Sequence, residues 1–302
     1  MSMAHLAART AWLATSCGLA ALLCGCRGVL EPEGPVGASE KLILLDALGI
    51  MLTIVVPVIV ATLAFAWWFR ASNGLARYLP DWSYSGRIEL VVWSIPALVV
   101  MFLGGLAWIS SHDLDPAKPL PTGQTPPLQV EVVSLDWKWL FIYPDQGVAS
   151  VNELVVPAGT PLHLRLTSGS VMTAFFVPQL GSMIYTMNGM VTQLYLRADR
   201  PGSYAGLASH FSGDGFSGMH FQTVAVAPAA FSAWVSTVKS AGPVLDAPAY
   251  AALSRQSQDV APFTYRATAP GIFEQIATQR LPPGPGPQSG VSQATSASGR
   301  PS

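Results

Sequence analysis

The stretch 47–69, ALGIMLTIVVPVIVATLAFAWWF, carries no charged residue over its 23 positions. As an α-helix at 1.5 Å per residue it would be about 35 Å long, enough for a bilayer hydrocarbon core of about 30 Å. A helix also satisfies every backbone N–H and C=O internally, which an apolar solvent demands. Trp67 and Trp68 close the run as interface aromatics do, and Arg70 stops it. Pro57 falls mid-segment and predicts a kink of the kind membrane helices tolerate. The first spanning helix is therefore predicted over 42–69.

Downstream the pattern repeats. Residues 90–111, LVVWSIPALVVMFLGGLAWISS, hold no formal charge, with Pro96 near the start and Trp108 near the end. A second span is predicted over 88–111. The loop between, 70–87, carries Arg70, Arg77 and Arg87 against Asp81, whereas Asp113 and Asp115 outweigh Lys118 after the second span. The positive-inside bias puts the loop in the cytoplasm and both flanks outside. Glu89 stands at the cytoplasmic mouth of the second helix, where the residues alone suggest a solvated helix-end carboxylate beside Arg87.

Upstream, residues 1–25 read as a secretory signal: a short polar start with Arg9, then an apolar run too short to span. Leu23-Cys24-Gly25-Cys26 resembles the bacterial lipobox. That resemblance implies acylation of Cys26, which becomes the first residue of the mature chain and gains two-chain anchoring to membrane lipid. Residues 26–41 would then be a periplasmic segment.

Half of the 302 residues are hydrophobic and 11% are charged, against about 25% charged in ordinary soluble domains. The net charge of −1 leaves no basic field for nucleic acid. The three cysteines, Cys17, Cys24 and Cys26, all precede residue 27. Everything later lacks a disulfide framework, a thiolate metal site and a cysteine nucleophile.

Beyond the helices, 112–127 is a Pro-rich linker. Short strand-like runs follow at 128–134, 139–143, 151–156, 161–167, 174–177, 191–197, 202–208 and 221–226, divided by Gly and Pro. This spacing predicts one all-β sandwich or barrel over 128–228. Residues 229–280 turn helical, with Phe231, Trp234, Val235 and Val238 on one face. The Pro/Gly/Ser-rich tail, 281–302, is expected to be disordered.

Candidate chemistry is sparse. Residues 213–218, GDGFSG, match G-x-G-x-x-G, but a strand-like run rather than a helix follows, so the match reads as a glycine-rich loop. His210, Met219 and His220 suggest copper by ligand type. Adjacent strand residues point to opposite faces, however, so Met219 and His220 do not converge. Asp136-Trp137-Lys138-Trp139 is an aromatic stretch suited to core or docking. No catalytic triad or acid/base pair stands out.

Two helices followed by a β-domain, with SLDWKWLFIYP (134–144), SVMTAFFVPQLG (170–181), IYTMNGM (184–190) and SGDGFSGMHF (212–221), resemble subunit II of haem-copper terminal oxidases, in its cytochrome bo-type ubiquinol oxidase branch. The resemblance spans roughly 20–275. It implies a two-helix hairpin followed by a periplasmic cupredoxin-like β-sandwich in the bacterial inner membrane. It also implies a complex that oxidises ubiquinol, reduces oxygen to water and pumps protons. Oxidase subunit I would be the main partner, holding haems and copper, with subunits III and IV alongside. In the copper-bearing branch the outer domain holds a dinuclear centre through an upstream His and a C-x-E-x-C-x-x-x-H-x-x-M cluster. Matched to that frame, Thr173 stands at the upstream His, Ala208 and Ser212 at the two Cys, His210 at the Glu, Phe216 at the second His, and Met219 is retained. Ala and Ser cannot replace bridging thiolates. The resemblance thus implies no metal and no cofactor on this chain, no catalytic residue in it, and no cytochrome c as donor. It implies that Glu89 lies at a proton-pathway entrance, and Trp137, Trp139 and Tyr143 are expected as docking aromatics. Two rivals stay open: a non-enzymatic lipoprotein or oxidase assembly factor that borrowed the fold, and menaquinol rather than ubiquinol as donor.

Overall fold

A computed structural model describes residues 28–77, 79–121 and 126–286. Cys26, the signal segment 1–25 and residues 287–302 lie outside the described residues. The chain divides into a helical unit, 38–118, and a second unit that contains the β-domain.

Helix α1 (Pro35–Trp68) covers the first predicted span up to residue 68 and α2 (Gly86–Asp113) the whole of the second, with Pro57 and Pro96 inside them. Hydroxyls inside the apolar runs bond to carbonyls one turn back: Thr53 to Gly49, Thr62 to Val58 and Ser110 to Leu106. These three hydroxyls are thereby satisfied within their own helix. At the end of α1 the Arg70 guanidinium lies 4.9 Å from the Trp67 ring centroid and donates to the Trp67 carbonyl. Within the chain, α2 buries none of its residues. Its apolar surface is left for lipid or for another protein.

The β-domain is two sheets face to face. The first follows the order β12-β3-β2-β1-β5-β8, built from β1 (Leu128–Leu135), β2 (Lys138–Tyr143), β3 (Val148–Val151), β5 (Leu162–Ser168), β8 (Thr192–Leu196) and β12 (Phe263–Tyr265). The second follows β4-β10-β9-β6-β7, from β4 (Glu153–Pro157), β6 (Thr173–Val177), β7 (Gly181–Thr186), β9 (Gly202–Ala208) and β10 (His220–Val226). Alternation decides which side chains face inward: Leu162, Leu164 and Leu166 of β5 enter the core while His163 and Arg165 face out. The inter-sheet core centres on Trp139, Phe141, Phe175 and Phe221.

Four expectations change here. The single run 151–156 is two strands, because Asn152 adopts φ 55° and carries the chain from one sheet to the other. Asn152 holds that crossing by accepting the Trp139 N–H and donating to the Val260 carbonyl. Strand β7, unforeseen, forms the free edge of the second sheet. Residues 229–280 are not simply helical: α3 (Pro228–Ser240), β11 (Val244–Leu245), α4 (Ala247–Leu253), β12, β13 (Ala267–Thr268) and α5 (Ile272–Ala277) follow in turn, and β12 pairs with β3. This extension covers the outer face of the first sheet with a second core of Leu140, Ile142, Tyr250, Ile272, Phe273 and Ile276. The expected disorder of 281–302 is corrected over 281–286. There Gly284 N–H bonds Gly169 O at 2.6 Å and Gly286 N–H bonds an Asp136 carboxylate oxygen at 3.2 Å.

Residues 33–37, read as part of a separate segment, also belong to the β-domain unit. Glu33 N–H donates to Gln179 O, its carbonyl accepts Asp199 N–H, and Gly37 N–H donates to Leu180 O. Val36 packs on Gly181, whose φ of +127° is open only to glycine.

Candidate functional site

Five of the six positions matched to the copper frame gather where β6, β9 and the start of β10 meet. Thr173 is buried and its hydroxyl donates to His210 O at 2.9 Å. Ala208 is buried, pairs with Phe175 and donates its N–H to Met219 O. The Ser212 hydroxyl lies 4.0 Å from the Met219 sulfur, and the Ser212 carbonyl accepts the Trp137 indole N–H at 3.1 Å. His210 is half-buried and meets the Tyr185 ring edge-on at 5.6 Å. Phe216, the sixth, starts a single 3-10 turn, Phe216–Gly218, and its ring packs on Phe211. This turn leads straight into β10, so the G-x-G-x-x-G match is a loop, as the sequence suggested. The positions offer two engaged hydroxyls, a methyl, a phenyl, a thioether and one imidazole: a packed set poor in soft donors. Among the described residues no three His, Cys, Asp or Glu side chains converge.

The docking role expected of Trp137, Trp139 and Tyr143 is corrected. Trp137 is 6% exposed and the other two are fully buried. The cause is topological: β2 is an interior strand, covered by the inter-sheet core on one face and by the extension on the other. Trp137 turns inward at φ 64°, and its indole slides under Gly215, where a Cβ would come within 2.4 Å of the ring. The Tyr143 hydroxyl donates to Val155 O and accepts Val155 N–H, and burial holds its proton far more tightly than usual.

The alternate residues of the same hairpin place two ionisable side chains inside, each with partners distant in the chain. Asp136 and Lys138 are 2% and 1% exposed. The Asp136 carboxylate accepts from the Ser170 hydroxyl at 2.5 Å and from Gly286 N–H. Lys138 Nζ donates to Asp136 O, Arg255 O and the Ser257 hydroxyl. Burial lowers its pKa to about 8 despite the nearby carboxylate. Both charges thus pin the extension to the sheet. On the outer face, Arg165 bridges Glu131 at 3.1 Å and Glu274 at 2.6 Å. Burial raises Glu131 to about 6, outweighing the attraction of Arg165.

Glu89 lies in the first turn of α2, exposed, with its N–H on Ser85 O. A carboxylate there is favoured by the positive end of the helix dipole.

Fold and loops together define a cupredoxin-like domain carried behind two candidate membrane helices. Residues 146–226 match the family described as "Cytochrome C oxidase subunit II, periplasmic domain". A ubiquinol oxidase subunit 2 of Acetobacter aceti is 48% identical over 86% of this chain and 85% of that protein. The cytochrome bo(3) ubiquinol oxidase subunit 2 of Pseudomonas aeruginosa is 46% identical over 92% of this chain and 84% of that protein. A quinol oxidase subunit 2 of Bacillus cereus is 32% identical over 72% of this chain and 75% of that protein. The chain belongs to the quinol oxidase subunit 2 family.

Proposed function

We propose that the chain is the copper-less, membrane-anchored subunit II of a proton-pumping ubiquinol oxidase. In this reading haems and copper reside in subunit I, subunits III and IV complete the complex, and cytochrome c is not the donor. The observation that carries it is the packing of Thr173, Ala208 and Ser212, which leaves one backbone-bonded hydroxyl, one methyl and one hydroxyl on a thioether where a dinuclear copper centre needs thiolates and imidazole. The chain's own work is structural: it caps and steadies the partner at the outer membrane face. The hairpin lies with its short loop inside, and Cys26 carries the lipid. Glu89, exposed at the cytoplasmic start of α2, delivers protons toward the partner.

The test is purification of the tagged full chain from membranes. Haem spectra and ubiquinol-dependent oxygen uptake travelling with it, with no copper bound by the chain on its own, are expected. A haem-free chain, or near-stoichiometric copper on it, would overturn the reading. Glu89→Gln is expected to slow turnover and proton release; unchanged values of both would remove Glu89 from the pathway.

A further inference from the structure

We infer that the groove between α1 and α2 holds one amine-headed phospholipid, its acyl chain along the groove and its ammonium on Asp46. The inference goes beyond the oxidase reading and needs only that both helices span a membrane. The groove, of about 690 Å³, runs between Asp46, Gly49 and Thr53 of α1 and Phe102, Gly105 and Ile109 of α2. At 1.5 Å per residue, Asp46 and Thr53 lie about 10 Å apart along it.

Two observations show that the groove is open and carries one charge. Small residues in membrane helices usually mark where two backbones touch. Gly49 and Gly105 do not: a Cβ on either would meet no atom within 4 Å. They deepen the groove instead. Asp46, just ahead of the uncharged run 47–69, is the one charged side chain among the described residues that line it, and its carboxylate has no partner among them. Lys41, the nearest base along α1, is five residues back and so about 140° away around the helix. The Thr53 hydroxyl donates to Gly49 O, which leaves the floor of the groove apolar.

These features select the occupant. A carboxylate at the edge of an apolar span faces a cation or a cavity. A neutral tail supplies no cation, and an anionic headgroup is repelled. A helix with its side chains is 10–12 Å across, so two turns of one displace about 1,000 Å³, more than the groove offers. A hydrocarbon chain with an ammonium head fits the narrow apolar floor and gives the carboxylate a charge-assisted hydrogen bond.

The test is native mass spectrometry of the full chain purified in detergent, with any subunits that accompany it, titrated with dioleoyl-phosphatidylethanolamine and dioleoyl-phosphatidylglycerol. One phosphatidylethanolamine per chain is expected, bound about tenfold more tightly than phosphatidylglycerol. Asp46→Asn keeps the side chain's shape and should reduce that preference to about twofold or less. Gly105→Leu fills the groove and should remove tight binding of either lipid, with helical circular dichroism unchanged in both variants. Equal affinities in the unsubstituted chain, a preference that survives Asp46→Asn, or tight binding that survives Gly105→Leu would each refute the site. A photo-crosslinker at position 102 that captures a partner subunit and never phosphatidylethanolamine would refute the occupant. None of these failures touches the oxidase reading, which stands or falls on haem co-purification.

Discussion

Replacing Asp136 by Ala tests whether a buried charge pins the C-terminal extension to the β-domain. The carboxylate is 2% exposed and accepts two hydrogen bonds, from the Ser170 hydroxyl and Gly286 N–H. Hydrogen bonds to a charged group are worth about 1.5–3 kcal/mol each. Its removal also takes a nearby negative charge from the buried Lys138 ammonium, whose own hydrogen bonds go to Asp136 O, Arg255 O and the Ser257 hydroxyl. Losing two such bonds sets the expected cost at about 3–6 kcal/mol. For a domain of this size each kcal/mol lowers the melting temperature by about 2–4 °C. A drop of roughly 10 °C is expected in thermal unfolding of the purified full chain followed by tryptophan fluorescence. The loss should also be local, with trypsin cleaving after Arg280 faster than in the parent. Pairing Asp136→Ala with Lys138→Met should cost less than the two singles added, since the second change removes the orphaned charge. A melting temperature within about 2 °C of the parent, with cleavage after Arg280 unchanged, would refute the reasoning.

Lys138 makes stability depend on pH in a direction opposite to that of Glu131. Its folded pKa of about 8 lies below the ordinary 10.5, so the unfolded chain binds more protons between those values and stability rises with pH across that window. Melting temperatures from pH 8 to 10 should show the rise in the parent and lose it in Lys138→Met. Glu131, raised to about 6 from 4.5, favours the folded state below pH 4.5 and loses that contribution as pH climbs through 6. Glu131→Gln should therefore flatten the fall in melting temperature between pH 5 and 7, and an unchanged slope would exclude it as the cause. Gly215→Val should drive a side chain into the Trp137 ring, whose atoms lie 2.4 Å from an added Cβ. A loss of about 1–3 kcal/mol with a shifted Trp fluorescence maximum is expected.

Much of this was legible along the chain because it depends on local pattern. The spans are runs of apolar residues whose length alone matches a bilayer, and α1 and α2 follow them. Alternation is plain in β5 and β8, and most of the Gly- and Pro-divided runs fall within strands of the sandwich. The break at Asn152 was not legible, since a single residue at positive φ does not interrupt a hydrophobic run. Strand β7 was missed because its edge position leaves Met183 and Tyr185 facing outward, so its burial is weak. The extension looked helical because Phe231 and Val238 do share a face, but strand β12 earns its place only by pairing with β3, more than a hundred residues earlier.

The sequence by itself determined two helices long and apolar enough to cross a membrane, the all-β class of the outer domain and the donor-poor chemistry of Thr173, Ala208 and Ser212, because each follows from residue type or from spacing within one segment. Tertiary structure alone decided which aromatics are core and which are surface. Trp137, Trp139 and Tyr143 attracted notice as a cluster, yet an interior strand covered on both faces buries Trp139 and Tyr143 and the turn before it buries Trp137 under Gly215, while Tyr185 and Phe211 remain outside. It also decided that Asp136 and Lys138, polar by type, lie inside, where partners from residues 170, 255, 257 and 286 satisfy them. Burial is a property of what packs against a residue, and those neighbours are distant in the chain.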